Sequence, residues 1–283
     1  MIARAGHFRT FLANRSARIG TVIVSIVLLA IIFGPFASPY SPVAMNFGAL
    51  LKPPSLVHPF GTDAFGRDVL TRVLYGGRVS FLVSLLGVLL ATVVGSVAGM
   101  ISAYHGGLID MMLMRVSDLL FAFPSFVLAL FLMVVLGFGV ENVIFAIALV
   151  YLPIFARLSR NTALVIREEP FIQAARLMGQ SPLRILFGEI LPNIAAPLVV
   201  QATIGLAFGI VIEAGLSFLG LGVQPPTPSL GVIMADGREY FQRAPWVLTL
   251  TGLAISIALL GLNLLGDGLR DMTDPRLRQG TER

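Results

Sequence analysis

Gln173-Ala174-Ala175-Arg176-Leu177-Met178-Gly179 opens a short polar stretch that runs on to Ile190-Leu191-Pro192 between two long apolar segments. Nearly everything around it has the composition of membrane-spanning helices, so this stretch is where the chain is expected to meet a partner in water. On spacing alone, an ordinary cytoplasmic helical hairpin explains the stretch equally well.

Helix-terminating residues divide this stretch into two predicted helices. Pro170 suits the first turn of one helix, and Gly179 can end it in a left-handed conformation. Ser181 is expected to cap a second helix, which Pro182 begins and Pro192 stops.

Small residues leave the first of these helices with little side-chain bulk. Because Ala174, Ala175 and Gly179 are small, a partner's surface could approach the backbone closely. Helical spacing places Phe171, Ala175 and Met178 on one face.

The composition of the chain is that of a membrane protein. Of 283 residues, 56% are hydrophobic and 12% are charged, and the mean hydropathy is +0.88. A soluble domain has about twice that charged fraction. The net charge of +5 comes almost entirely from arginine, and in such a chain it is expected to orient the protein in a bilayer rather than to bind nucleic acid.

Cysteine and histidine usage limits the chemistry of the chain. Cysteine is absent, which excludes disulfides and thiolate chemistry. The three histidines, His7, His58 and His105, lie far apart in sequence. They could share a metal ion only through folding, and no metal site is predicted.

Six apolar segments are long enough to cross a hydrocarbon core, which needs roughly 20 residues per helix. They cover about residues 19–36, 79–103, 119–136, 140–155, 194–217 and 246–265. Only Gly137-Phe138-Gly139 separates the third from the fourth, which predicts a tight helical hairpin, and Pro153 interrupts the fourth. The first is longer than the apolar run of a typical cleaved signal peptide, so it is expected to be a retained anchor. The predicted fold is an all-α polytopic membrane protein with six transmembrane helices.

Basic residues predict the orientation of these helices. Fourteen of them lie in segments 1–18, 104–118, 156–193 and 266–283, and six lie in the segments on the other side. The positive-inside rule therefore places both termini in the cytoplasm. It makes residues 1–18 a cytoplasmic N-terminal segment, followed by a transmembrane domain over 19–283, and it places the loop 156–193 in the cytoplasm.

Two segments on the external side have patterns of their own. Residues 63–75 carry apolar side chains at helical spacing and predict an amphipathic helix on the outer interface, which Gly76-Gly77 ends. Residues 219–245 contain Pro225-Pro226-Thr227-Pro228 and predict a stiff, extended loop. Each segment could face an external partner or be a plain connection.

Small residues recur at every fourth position in the second span. The pattern lets helix backbones approach closely in lipid. The residues are Gly87, Ala91, Gly95 and Gly99.

In the fifth span Gly205, Gly209 and Glu213 share one sector and form a candidate translocation path. A carboxylate inside a span costs about 2.5–3.5 kcal/mol unless it is paired or hydrated. Glu213 therefore either lines a water-filled path or hydrogen-bonds a neighbouring helix or loop near the outer end. The second interpretation is favoured.

The motifs of an enzyme are missing from the sequence. There is no Gly-x-x-x-x-Gly-Lys-Ser/Thr phosphate-binding loop, and Lys52 is the only lysine. There is neither a Gly-x-Ser-x-Gly elbow nor a His-Glu-x-x-His helix. The chain is therefore not predicted to be an enzyme or to hydrolyse ATP by that mechanism.

The opening stretch resembles the signature of permease subunits of binding-protein-dependent ABC importers, which reads Glu-Ala-Ala, three residues, Gly, nine residues, Ile-x-Leu-Pro. The matching residues are Ala174, Ala175, Gly179, Leu191 and Pro192. Gln173 replaces the glutamate, and Glu189 stands at the place of the isoleucine.

Further motifs resemble the shorter, C-type subunit of the dipeptide/oligopeptide/nickel permease family. They lie at His58–Asp63, Gly66–Leu70, Leu216–Pro226 and Asn263–Asp271, and with the opening stretch they extend over nearly the whole chain. The resemblance implies a type I ABC importer permease fold in a bacterial inner membrane. Its loop 156–193 would be the coupling loop that docks on a cytoplasmic ATPase. The residues implied in docking are Gln173, Ala174, Ala175, Arg176, Gly179, Leu191 and Pro192.

The same resemblance implies a set of partners. They are a homologous second permease subunit, two ATPase subunits that bind ATP and magnesium, an extracytoplasmic solute-binding protein and membrane lipid. No cofactor is expected in this chain itself.

Peptides are the favoured solute, with nickel chelates and glutathione-like compounds as alternatives within the family. Outside the family, a secondary transporter would need charged groups near the midplane, for which Glu213 is the main candidate. A purely structural subunit is the remaining alternative.

Overall fold

The computed structural model describes residues 14–273, in which regular structure is helical apart from one isolated bridge between Thr62 and Asp68. The helices are α1 (Arg15–Ala37), α2 (Val69–His105), α3 (Gly107–Phe121), α4 (Ser125–Leu136), α5 (Val140–Arg167), α6 (Pro170–Leu177), α7 (Pro182–Phe218), α8 (Leu230–Glu239) and α9 (Pro245–Thr273). A 3₁₀ turn covers Phe47–Ala49. Of the predicted terminal segments, residues 1–13 and 274–283 lie outside the described part of the chain.

Five of these helices, α1, α2, α5, α7 and α9, are long and apolar enough to cross a membrane. The third predicted span, 119–136, is wrong as a single straight helix. The chain there forms α3 and α4, which pass the same test only together and are bent by 92° at the break between them. The reason is Pro124, which has no N–H to donate and disfavours helical backbone at the preceding residue.

The second span begins earlier than predicted. The side chain of Asp68 accepts a hydrogen bond from the Thr71 N–H and caps α2, which runs without a break for 37 residues. The prediction of a separate interfacial helix over 63–75 is therefore wrong. Gly76 and Gly77 lie inside α2, where a Cβ at Gly76 would be 3.0 Å from the carbonyl carbon of Ser229 and one at Gly77 would be 2.9 Å from Ile31. These glycines serve packing and do not end the helix.

The small residues of α2 face α5, as the spacing predicts. A Cβ at Gly87 would lie 2.7 Å from the side chain of Ile147, and one at Gly95 would lie 2.6 Å from the Leu152 carbonyl oxygen. At Gly99 a Cβ would overlap the carbonyl oxygen of Ala156. Ala91 between them is fully buried. The two backbones therefore touch over several turns, and this contact is the centre of the bundle.

Two prolines do not act as the sequence predicts. Pro153 lies buried inside α5, which continues to Arg167. Pro192 does not stop a helix, because α7 runs through it to Phe218. A π-helical stretch, Ile185–Ile190, precedes Pro192, and there the Leu191 N–H donates to the Leu186 carbonyl. The register of the backbone hydrogen bonds thus changes next to the residue that lacks an N–H.

Residues 219–245 are not the extended loop that the prolines predict, because they contain α8. The Ser229 side chain caps this helix by accepting from the Val232 N–H. Gly231 lets α8 lie against α7, where a Cβ would overlap the Ala214 carbonyl oxygen. The short connection between α4 and α5 is a tight turn, as predicted, with Gly137 and Gly139 at φ of 86° and 138°.

Pro35 leaves one carbonyl of α1 without its helical partner, and Arg78 of α2 supplies a donor. The Ile31 carbonyl would accept from residue 35, which is a proline. Arg78 Nε donates to this oxygen at 3.1 Å, and Nη2 donates to the Ile32 carbonyl at 2.7 Å. Arg78 therefore joins α1 to α2.

Replacing Arg78 with methionine is expected to destabilise the protein by about 1–3 kcal/mol, since a carbonyl in the bundle loses its donor. Thermal unfolding of the purified protein measures this loss. Pro35→Ala restores the N–H for Ile31, so Arg78→Met should cost clearly less in that background. An equal cost in both backgrounds would show that Arg78 does not act through the Ile31 carbonyl.

Candidate functional site

The stretch around Gly179 forms the first predicted helix, and Ser181 caps the second at Pro182 as predicted, although the second helix continues past Pro192. Pro170 begins α6, and Gly179 takes the left-handed conformation with φ of 74°. The Gly179 N–H donates to the Arg176 carbonyl at 3.0 Å, and the Gln180 N–H donates to the Ala175 carbonyl at 3.1 Å. The loop therefore has a defined conformation.

The inward face of α6 consists of Ile172 and Ala175, whereas the spacing placed Ala175 on one face with Phe171 and Met178. Ile172 is fully buried and Ala175 is 3% exposed, both packed in the core cluster that α2, α5 and α7 share. Phe171 and Met178 are exposed, so they do not share a buried face with Ala175. The larger apolar side chain of Ile172 determines which side of the helix faces the core. Ala175 is thus not accessible to a partner.

An exposed face remains on the other side of this loop. Its most prominent side chains are Leu177 and Met178, which are 89% and 72% exposed. We call this face the docking surface, after the role that the sequence predicts for the loop, and it consists of Gln173, Ala174, Arg176, Leu177, Met178, Gly179 and Leu183. Leu177, Met178 and Leu183 are not among the predicted docking residues, although two adjacent apolar residues before a polar turn are a visible signal.

The other predicted docking residues lie at the edge of this face or behind it. The Gln173 side chain donates to the Glu168 carbonyl at 3.1 Å, so it bonds within the chain. Leu191 is half-buried and Pro192 is exposed, both in α7. The part of these residues in docking stays a prediction.

Gly205, Gly209 and Glu213 lie deep in the bundle. Positions 205 and 209 face α2, where a Cβ would be 3.3 Å from Val88 and 3.3 Å from Ser84, respectively. By helical rise Glu213 is about 33 Å along α7 from Leu191. The three predicted path residues thus contact this chain's own helices, well away from the docking surface, and their role in translocation stays a prediction.

The carboxylate of Glu213 is fully buried among hydroxyl groups. The Ser217 hydroxyl donates to Oε1 at 2.7 Å. The Ser80 and Ser229 hydroxyls lie close by, but neither forms a hydrogen bond of good geometry with Oε2. Ser80 Oγ accepts from the Leu230 N–H at 3.1 Å. The one hydrogen bond of Glu213 thus lies within α7 itself, with hydroxyls of α2 and of the segment before α8 close by, and the choice between the two interpretations stays a prediction.

An ion-pair network on the side that is predicted to be external was not foreseen from sequence. Arg67 and Arg72 each donate to Asp63 Oδ2 at 2.6 Å, and each also donates to Asp236 Oδ2 at 2.9 Å. Arg72 and Asp63 are each 2% exposed. The network fastens the segment before α2 to α8. Its members lie up to 169 positions apart in sequence, which is why local spacing does not reveal it.

A second external contact lies beside this network. His58 Nδ1 is 2.9 Å from Asp68 Oδ1, and its ring lies 4.8 Å from that of Tyr40. Among residues 14–273 no group of three or more histidine, aspartate or glutamate side chains is placed to hold a metal ion.

Two family profiles match this chain. Residues 91–279 match the family described as binding-protein-dependent transport system inner membrane component. Residues 5–54 match the N-terminal TM domain of oligopeptide transport permease C.

Curated relatives and solved structures are similar to the chain. The dipeptide transport system permease protein DppC of Alkalihalophilus pseudofirmus is 42% identical over 271 residues, which cover 96% of this chain and 89% of the relative. DppC of Escherichia coli K12 is 44% identical over 275 residues, covering 95% and 92%. A chain of the inward-facing MetNI methionine ABC transporter has a TM-score of 0.56 at 21% identity, covering 71% of this chain and 96% of that chain. At this identity the likeness shows the fold.

Proposed function

Because this chain belongs to the family of binding-protein-dependent transport system inner membrane components, we propose that it is the permease subunit of an ATP-driven importer of dipeptides and oligopeptides. As a member it is an inner-membrane protein. The observation that carries the proposal is the docking surface, which presents Leu177 and Met178 to water at the place of the family's coupling motif. Peptides are the favoured solute because the relatives are named for dipeptide transport.

The absence of a phosphate-binding loop from the sequence supports the proposal that other subunits bind and hydrolyse ATP. The chain has no lysine other than Lys52 and no Gly-x-x-x-x-Gly-Lys motif, so ATP and magnesium would bind to partner ATPases and not to this permease. The permease is therefore non-catalytic. Two ATPase subunits would close on ATP and push on the docking surface of each permease.

The remaining partners complete the transport cycle. A homologous second permease would form the other half of the path, and an external solute-binding protein would deliver the peptide. Closure of the ATPases would move the spans as rigid bodies and expose the path alternately to the two sides. Nickel chelates and glutathione-like solutes are alternatives within this mechanism.

Gly179 provides a test of coupling. A Cβ at this position has no heavy atom within 4 Å, and φ is +74°. Asparagine tolerates this conformation, so Gly179→Asn is the control for backbone strain. Gly179→Trp adds bulk to the docking surface and is expected to lower peptide uptake about tenfold or more while the protein stays in the membrane and ATP hydrolysis continues. Uptake and ATPase rates in proteoliposomes measure both quantities. Normal uptake by the tryptophan variant would contradict the coupling role.

The experiment that tests the proposed function is purification of the chain from a membrane in which all subunits are produced. A stable complex with a nucleotide-binding subunit is expected. A secondary transporter would instead purify without an ATPase and transport peptide alone. A purely structural subunit would tolerate every substitution in the docking surface.

A further inference from the structure

α3 buries little of its surface inside the chain. Its one buried side chain is that of Ser117, while Leu108, Met112 and Leu119 are 68%, 64% and 64% exposed. In lipid, helices associate through close packing and polar contacts between them. Since α3 buries so little apolar surface, polar contacts contribute much of what fixes its position.

One carboxylate supplies most of these contacts. Asp110 Oδ1 accepts from Arg160 Nε at 2.5 Å, and Oδ2 accepts from Arg160 Nη2 at 2.6 Å. The Ser102 hydroxyl also donates to Asp110 Oδ1. Paired, charge-assisted hydrogen bonds of this kind are stronger than neutral ones and fix an orientation. Asp110 thus joins α3 to α2 and α5 at once.

A second ion pair lies on the same faces of α3 and α5. Asp118, two turns after Asp110, accepts from Arg157 Nη2 at 2.5 Å. Both side chains are more than 40% exposed, so this pair alone contributes little. The Arg157 guanidinium also lies 4.1 Å from the centre of the Phe121 ring. Together the two pairs hold α3 along its length.

The same region is connected to the docking surface. The Arg176 guanidinium of α6 lies 4.8 Å from the centre of the Tyr104 ring. Arg167, at the end of α5, donates to the Ala103 carbonyl at 2.6 Å. Ala103 and Tyr104 directly follow Ser102, the α2 partner of Asp110. The Arg176–Tyr104 contact, the α2 backbone from Ser102 to Tyr104 and the Ser102–Asp110 hydrogen bond therefore connect the docking surface to α3.

The connections at the two ends of α3 are weakly constrained. Gly106 and Gly107, between α2 and α3, have positive φ, and no heavy atom lies within 4 Å of a Cβ built at either position. At its other end α3 meets α4 across the 92° break. Without the ion pairs, the backbone between α2 and α3 would permit α3 to move independently.

We propose that Asp110 is the positioning residue that makes α3 move as one body with the coupling loop and the cytoplasmic ends of α2 and α5. The inference rests on the proposed coupling function and adds the route by which motion of the docking surface reaches α3. The break at Pro124 is then the place where this body moves relative to α4.

The test uses spin labels, which are convenient because the native chain has no cysteine. One pair of labels is placed at the exposed residues Met112 of α3 and Val165 of α5, and a second pair at Met112 and Val134 of α4. Distances are measured in the assembled complex without nucleotide and after trapping with ATP and vanadate. The first distance is expected to stay constant and the second to change.

Substitutions connect this motion to transport. Asp110→Asn is expected to broaden the Met112–Val165 distance distribution and to lower uptake per ATP hydrolysed about tenfold. The exchanged pair Asp110→Arg with Arg160→Asp should recover a narrow distribution and most of the uptake. Arg115→Gln is the matched control, since Arg115 is an exposed charge of α3 with no side-chain partner in residues 14–273.

Opposite results overturn the proposal in distinguishable ways. If the Met112–Val165 distance changes on trapping in the unaltered complex, α3 does not move with α5. This result would refute the role of Asp110 and leave the proposed coupling function intact. The same follows if the exchanged pair behaves like Asp110→Asn. If no ATPase binds and neither distance responds to nucleotide, the coupling function fails and this inference fails with it. If the Asp110→Asn variant does not assemble, the two distances in the unaltered complex still test whether α3 moves with α5.

Discussion

Replacing Leu177 with aspartate is expected to abolish ATP-driven uptake, because the ATPase subunit would no longer bind the docking surface. Leu177 is 89% exposed and Met178 is 72% exposed on a loop predicted to lie in the cytoplasm. Burial of a side chain of this kind on a partner contributes roughly 1.5–3 kcal/mol. An aspartate in its place must lose its water without gaining a counter-ion. A loss of about 2 kcal/mol or more is expected, which lowers affinity at least about thirtyfold.

Binding of the purified ATPase subunit to the permease in detergent measures this effect directly. Leu177→Met keeps an apolar side chain and should retain binding. Leu56→Asp makes the same kind of change at a fully exposed residue of the segment between α1 and α2, which is predicted to be external, and should also leave binding intact. If Leu177→Asp binds the ATPase as well as the unaltered protein does, Leu177 is not an anchor of the docking surface.

Replacing Arg72 with methionine is expected to destabilise the external side of the protein by about 3–5 kcal/mol. Arg72 and Asp63 are each 2% exposed, and the distance between Arg72 Nη1 and Asp63 Oδ2 is 2.6 Å. Without Arg72, Arg67 alone would face both Asp63 and Asp236, so the network would carry one negative charge without compensation. The contact between the segment before α2 and α8 should weaken first.

Unfolding of the purified protein in urea or on heating measures this loss. The matched control is Arg243→Met, at an exposed arginine whose side chain has no ion-pair partner within residues 14–273. Surface changes of this kind usually stay within about 0.5 kcal/mol. Equal stability of the Arg72 and Arg243 variants would show that the network does not hold the external segment in place.

Local sequence signals predicted the parts of the fold that local chemistry determines. Pro170, Gly179 and Ser181 set the boundaries of the helices around the docking surface, because proline, a left-handed glycine and a capping hydroxyl act within one turn. The small residues of α2 likewise predicted its contact with another span.

Tertiary packing overrode local rules elsewhere. Gly76-Gly77 predicts a helix end, yet α2 continues through both residues. The glycines are there because Ser229 and Ile31 lie too close for a side chain at either position. Pro192 lies inside α7 because a change of hydrogen-bond register precedes it. By contrast, Pro124 is itself a local signal for a helix break. The prediction missed this break because residues 119–136 are apolar enough to be taken as one span.

Contacts between distant residues were beyond sequence reasoning. Asp110 and Arg160 are 50 positions apart, and Arg67 and Asp236 are 169 apart, so no periodicity connects them. The inward orientation of Ala175 followed from its neighbour Ile172, whose larger apolar side chain takes the core position. The sequence shows which residues carry charge but not which of them meet.

The central claim is that this chain transports peptide only when a partner ATPase acts on its docking surface. Uptake of a labelled dipeptide into proteoliposomes tests it most directly, with the permease pair, the ATPases, ATP and the loaded binding protein each omitted in turn. We expect uptake only when all are present, and none when ATP is replaced by a non-hydrolysable analogue. Uptake by this chain alone, driven by an ion gradient without ATPase or ATP, would contradict the claim.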